Sequence, residues 1–344
     1  MAELYGRSWK REELVRMVGS LDQVAGVRPV EAAEGVERGS RLLQVWTGSG
    51  LSFNVLAERA LDLAAFQYKG VPLNWKSAVG EAHPAYYDPA GINWLRSFGG
   101  GMLVTCGLDS FGAPGSDEGQ DFGLHGRVSN LPARAVSYRA EWAGDEYELE
   151  VSGQVRQARV FGENILLQRR LSTRLGSKRL QIEDTVTNEG FTPQPHMLLY
   201  HFNTGFPLLS PATRLELQAS ETEPRDDDAK AGMADWRTFQ VPTAGYREQV
   251  FIHTPVPDKK KRACARVINP EIKLGLSLSF DTSTLPYLME WKMMGEGLYV
   301  LGIEPANCKT LAGRAGARAR GLLPELAAGE SRVYRLELEV VELA

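Results

Sequence analysis

The feature that most constrains this chain is its punctuation. Short runs of alternating apolar and polar residues recur along most of its length, each closed by Gly, Asp, Asn or Pro. Arg41 to Thr47 and Leu51 to Leu56 read as a hairpin around Gly48-Ser49-Gly50. Ala135 to Trp142, Tyr147 to Val151, Ile165 to Thr173 and Leu180 to Thr187 repeat the pattern. So do Gln249 to His253, Ala263 to Ile268, Ile272 to Ser279, Leu285 to Trp291, Leu298 to Ile303 and Arg332 to Val341. A two-residue period puts alternate side chains on opposite faces of a sheet. Many such strands with turn residues between them predict an all-β, antiparallel sandwich or barrel. No βαβ rhythm and no glycine-rich phosphate loop is present.

The helical period shows only at the start. Ser8 can cap a helix over residues 8–24, with Leu14, Met17, Val18, Leu21 and Val24 on one stripe. The sequence therefore divides into a helical arm, 1–39, and one β domain, 40–344. Two long loops, Asp109 to Gly123 and Glu221 to Met233, interrupt the strands; loops of that length in a compact domain are often functional.

Composition narrows the function classes. An apolar fraction of 43% and a charged fraction of 24% are those of a globular protein. A net charge of -4 gives no general footprint for nucleic acid or an anionic membrane. The basic run Lys259-Lys260-Lys261-Arg262 reads as a solvated turn, with an anion patch as the alternative. No apolar stretch approaches the roughly 20 residues that span a bilayer. The amino terminus lacks a basic segment leading into an apolar one, so a cytoplasmic location is expected. Cys106, Cys264 and Cys308 are scattered, which fits a reducing compartment and neither a disulfide framework nor a zinc motif.

Three residues stand out for proton chemistry. Glu304 follows the apolar run Leu298-Tyr299-Val300-Leu301 and precedes Pro305, which is expected to end the strand and hold the carboxylate at a pocket mouth. His201, in Tyr200-His201-Phe202-Asn203, shares a strand face with Asn203 but also with Met197 and Leu199, as a core histidine would. His125 lies in a Gly-flanked loop and is otherwise an ordinary turn histidine. Glutamate with histidine is sufficient for general acid–base catalysis. Were the three to converge they could also hold a metal, although no metal or other cofactor is expected. Arginines and aromatics near turns suit sugar hydroxyls and the apolar faces of pyranoses. Arg59, Arg96, Trp75, Trp291 and Lys292 are the candidates.

In this order, Arg96, the His125-Gly126 segment, His201-Phe202-Asn203 and Glu304-Pro305 resemble the aldose 1-epimerase (galactose mutarotase-like) family, in a divergent and poorly characterised branch. The resemblance spreads over most of residues 40–344. It implies an antiparallel β-supersandwich with a sugar cleft across one sheet and a metal-free reaction on a small carbohydrate. It assigns Glu304 as general base, His201 as general acid, His125 as a ligand near the ring oxygen, and Arg96 as an anchor for a hydroxyl. Asp62, Asp109 and Asp281 are candidates for a further hydroxyl ligand. Arg59, Arg127 and Lys292 suggest an acidic or modified sugar. A non-catalytic sugar-binding module, or another isomerase, lyase or hydrolase on the same sandwich, is the alternative.

Overall fold

The computed structural model describes residues 2–344. Two antiparallel sheets carry the fold. The larger has eleven strands. Its central part runs Ala219–Pro224, Gln249–Pro255, Tyr287–Gly295, Leu298–Ala306, Leu199–Thr204, Leu103–Cys106 and Asp62–Tyr68, in that spatial order. Leu51–Leu56, Arg41–Trp46 and Gly26–Glu31 complete it, and the short Val71–Pro72 pairs with Asp62–Tyr68. The second sheet has eight strands, from Arg134–Ala143 at one edge to Arg214–Leu217 at the other. This is the antiparallel sandwich that the alternation predicts and the supersandwich that the resemblance implies.

Each sheet presents an apolar face to the other. Leu149, Val151, Leu167, Ile182 and Leu336 of the smaller sheet join Phe53, Leu63, Phe202 and Ile303 of the larger in one core. One polar network crosses that core. Arg169 is fully buried and pairs with Asp62 (2.7 Å) and Asp184 (2.7 Å), while Tyr200 donates its hydroxyl proton to Asp184. The other face of the larger sheet has its own apolar cluster. It includes Val104, Leu199, Met289 and Val300, with Trp75, Trp94 and Phe98 folded over from loops. The candidate site lies there.

The amino-terminal arm departs from the single helix expected over 8–24. A hairpin, Ala2–Leu4 with Arg7–Trp9, precedes a short helix, Arg11–Val15, and one 3₁₀ turn, Leu21–Gln23. Gly19 and Ser20 break the stripe, and Ser20 caps the second turn. Strand Gly26–Glu31 then joins the large sheet through Arg41–Trp46, so the sheet begins inside the segment assigned to the arm.

Candidate active site

Register brings the two principal residues together. Strands Leu199–Thr204 and Leu298–Ala306 pair Phe202 with Ile303 and Leu199 with Ala306. Antiparallel counting between those pairs sets His201 opposite Glu304. Directly opposed side chains on one face stand about 4.5–5.5 Å apart at Cβ, and here His201 Nε2 reaches Glu304 Oε1 at 3.1 Å. Two residues further along, on the same face, Gly302 sits between Trp291 and Asn203.

Glu304 therefore does not close its strand, as its proline suggested. The strand continues to Ala306, and Pro305 pairs with Leu288. Proline's fixed φ is compatible with extended backbone; what it loses is one ladder donor. Asn307, just beyond, is occupied by backbone. Its Oδ1 accepts from Leu198 N–H (2.8 Å), and its Nδ2 donates to the His196 carbonyl (2.8 Å). These bonds tie the Glu304 strand to the His201 strand.

Gly302 is the reason the carboxylate can lie where it does. A Cβ at this position would overlap Glu304 Oε1, and would stand 3.0 Å from Trp291 Cβ and 3.3 Å from His201 Cε1. Glycine inside a strand often marks a close approach of this kind. The Glu304 carboxylate lies over the Gly302 backbone, beside Trp291 and His201.

Polar atoms around this pair lack hydrogen-bond partners within the protein. His201 Nδ1, Glu304 Oε1, Asn203 Oδ1 and His125 Nδ1 are all buried without a hydrogen bond, four of nine such side-chain atoms among the described residues. The 3.1 Å approach of His201 to Glu304 falls outside hydrogen-bond geometry. Leaving a buried polar group unpaired costs about 1–3 kcal/mol. Several in one place mark a site that a polar ligand completes.

His125 enters from a loop. Its φ of 58° lies in the left-handed region, held by its N–H donating to the Gly112 carbonyl (3.0 Å) and its carbonyl accepting from Gly107 N–H (3.1 Å). At the following Gly126 a Cβ would overlap the carbonyls of Ser110 and Gly107. The His125 ring meets the His201 ring edge-on at 5.7 Å between centroids and packs on Trp94 at 4.8 Å. Phe98 and Trp291 each approach the His201 ring to 5.4 Å.

Burial governs the charge state. It holds the Glu304 carboxyl well above the usual range; the nearby Glu248 carboxylate adds to this and Arg225 opposes it. Burial holds His201 well below the usual imidazole value; the neighbouring His125 adds to this and Asn203 opposes it. Burial alone lowers His125 to about 4. Both members of the pair are thus driven toward their neutral forms.

The remaining expected ligands divide. Trp291 is at the site, its Nε1 donating to Glu248 Oε2 (2.7 Å). Trp75 packs against Trp291 and Phe98 and completes the wall. Arg96 is exposed on the turn Asn93–Arg96, whose Trp94 and following Phe98 cover the histidines. Lys292 does not join them. Strand alternation turns it to the opposite face, where its Nζ donates to the Asp235 carbonyl (2.9 Å) over the Phe239 ring. Arg59 is buried and donates to the Ala82 carbonyl (2.8 Å). With Lys292 and Arg59 engaged by backbone, two of the three cations that suggested an acidic sugar are not available to one. Asp62 belongs to the Arg169 network, Asp109 accepts from Gln157, and Asp281 caps a turn at Ser283. Among the described residues no three His, Cys, Asp or Glu side chains are grouped to hold a metal ion.

Two residues of the rim had no signal in the sequence. Glu248 bridges Trp291 and Arg225, accepting from Arg225 Nη1 at 2.9 Å. Neither residue falls in a motif; pairing of Ala219–Pro224 with Gln249–Pro255 places them side by side. Gly302 did carry a signal, a lone glycine within an apolar strand.

The chain matches a family model over residues 37–340, described as a domain of unknown function, DUF4432. It belongs to that family. Its fold is that of the galactose mutarotase-like proteins. A crystal structure from Klebsiella pneumoniae subsp. pneumoniae, named a "putative aldose 1-epimerase", superposes with a TM-score of 0.87 at 28% identity, covering 92% of this chain and 83% of that one. A galactose mutarotase-like protein from Clostridium acetobutylicum gives 0.63 at 13% identity, covering 93% of this chain and 100% of that one. Galactose 1-epimerase from Lactobacillus acidophilus gives 0.59 at 11% identity, with the same coverage. At those lower identities the likeness concerns the fold. No functionally curated protein matches this chain. No helix of the described residues is long and apolar enough to cross a membrane.

Proposed function

We propose that this DUF4432 chain is a carbohydrate mutarotase, interconverting the anomers of a free sugar or sugar derivative by acid–base catalysis. The observation that carries the reading is the set of unpartnered buried atoms on His201, Glu304, Asn203 and His125, with Trp291 against the His201 ring. A pyranose offers what these atoms lack: adjacent hydroxyls and a ring oxygen, with an apolar face for Trp291.

The chemistry needs one proton on the pair. With Glu304 ionised and His201 protonated, Glu304 takes the proton of the anomeric hydroxyl while His201 gives one to the ring oxygen. The bond from C1 to the ring oxygen breaks and the carbonyl forms. Both side chains are now neutral, the form burial favours. The aldehyde end rotates. On re-closure Glu304 returns its proton to the carbonyl oxygen and His201 recovers one from the ring hydroxyl. Net charge in the site is zero throughout, which suits a buried setting. In this reading His125, neutral by burial, hydrogen-bonds near the ring oxygen and Arg96 anchors an outer hydroxyl.

Two-dimensional exchange NMR on a panel of free aldoses tests this. Wild-type protein should raise the α/β exchange rate of at least one sugar, and Glu304→Gln should lower that effect by about 10²–10⁴-fold. Saturable sugar binding without any rate enhancement would replace the enzyme with a binding module.

A further inference from the structure

At the edge of the smaller sheet, in the other layer from His201 and Glu304, strand Arg214–Leu217 and strand Arg262–Asn269 line a cleft of about 810 Å³. That is within the range of small-molecule sites, about 300–1,000 Å³. Four arginines line it: Arg214, Arg237, Arg262 and Arg266. Only two carboxylates do. Glu216 is shared, accepting from Arg214 Nε (3.2 Å) and Arg266 Nη1 (3.0 Å). Asp258 is spent on the turn, accepting from the N–H groups of Lys260 (2.7 Å) and Arg262 (2.9 Å). The lining thus holds a surplus of two positive charges on a chain whose net charge is -4.

Arg262 is the decisive residue. Its side chain makes no hydrogen bond or ion pair among the described residues, and its Nη2 is buried without a partner. A guanidinium in that state lacks an oxyanion, which it would grip through a planar fork of donors. Arg237 is fixed beside it, stacked 3.7 Å over the Trp236 ring. Lys259, Lys260 and Lys261 on the adjoining exposed turn raise the local potential. The basic run that reads as a solvated turn is the lip of this cleft.

We propose that the cleft binds a small phosphate monoester through Arg262 and its neighbouring arginines. A phosphate monoester carries about -1.5 to -2 charges near neutrality, which matches the surplus. A nucleic-acid polymer fits less well, because no aromatic side chain lines the cleft to stack on bases.

Isothermal titration at constant ionic strength tests this, with glycerol 3-phosphate, inorganic phosphate and a single-stranded RNA oligonucleotide as probes. Expected is one saturable site for glycerol 3-phosphate. Arg262→Gln should weaken it at least about tenfold, and Arg262→Lys should restore only part. Arg139→Gln, at the opposite edge of the same sheet, should leave it unchanged. Anomer exchange should be unaffected by Arg262→Gln, and an unchanged melting temperature shows that the variant is folded. Equal affinity in Arg262→Gln, no saturable binding of either phosphate, or tighter binding of RNA than of glycerol 3-phosphate would each overturn the assignment.

Discussion

Replacing Gly302 by alanine probes the close approach that seats the Glu304 carboxylate. The new methyl would overlap Glu304 Oε1 and crowd Trp291 Cβ at 3.0 Å, a contact fixed by backbone. The carboxylate is the freer partner, so it must swing off His201 by about 1 Å. A misplacement of that size costs roughly 10²-fold in rate, or about 2.7 kcal/mol of transition-state stabilisation. Stability should change less. Crowding costs about 1–3 kcal/mol, and alanine recovers about 0.5–1 kcal/mol of the entropy that glycine loses in a strand. Exchange NMR gives the rate, and urea denaturation gives the stability of the same sample. A folded Gly302→Ala protein with wild-type kcat/KM would refute the claim that this glycine shapes the active carboxylate.

Glu304→Gln should also change the response of stability to pH. Burial raises the folded-state pKa of Glu304, so its contribution is full below the unfolded value near 4.5 and is lost as pH rises toward the folded one. The melting temperature of the variant relative to wild type should therefore climb from pH 4 to pH 8; a flat difference would contradict it. Arg169→Met removes the cation between Asp62 and Asp184 and should destabilise by about 3–5 kcal/mol in urea, since two buried carboxylates lose their partner. Arg96→Ala should raise KM with little change in kcat or melting temperature, because Arg96 is exposed and makes no hydrogen bond or ion pair among the described residues. Glu290→Gln, on the inward face of the same sheet, should leave the exchange rate of the folded protein near wild type, whereas loss equal to that of Glu304→Gln would move the chemistry to the wrong face.

What could be read from the sequence follows from which forces are local. Alternation is local, and the strands Arg41–Trp46, Leu51–Leu56 and Arg179–Asn188 lie within a residue or two of where the pattern puts them. Asp62–Tyr68 and Leu103–Cys106 were not legible, because Leu103–Cys106 is buried on both faces and shows no alternation, while Asp62–Tyr68 alternates only in its second half. Glu304 stood out for a reason that does not hold, the proline after it, yet the site does contain it. What puts it there is register with a strand about a hundred residues earlier, which no local pattern encodes. Lys292 shows the opposite error. It adjoins Trp291 in sequence, but a strand sends neighbours to opposite faces, so one residue reaches the His201 ring and the other the core face.

The same alternation gives this protein a second histidine–glutamate pair. His253 Nε2 stands 3.1 Å from Glu290 Oε2, the same separation as His201 from Glu304, and burial lowers His253 to about 3 while raising Glu290 well above the usual range. Chemistry alone therefore does not distinguish the pairs. Surroundings do. His253 is closed in by Trp236 at 4.6 Å between ring centroids, and its Nδ1 is already engaged by the Thr222 hydroxyl at 2.9 Å. Glu290 Oε1 is the one unpartnered side-chain atom of that pair, and no glycine opens a space beside it. Around His201 and Glu304 the relation is reversed. Gly302 lets the Glu304 carboxylate lie over its backbone, and four polar atoms lie unpaired nearby. His253 and Glu290 are joined by a hydrogen bond, whereas His201 and Glu304 are left for an outside partner, which favours the pair that faces away from the core as the site of the proposed chemistry.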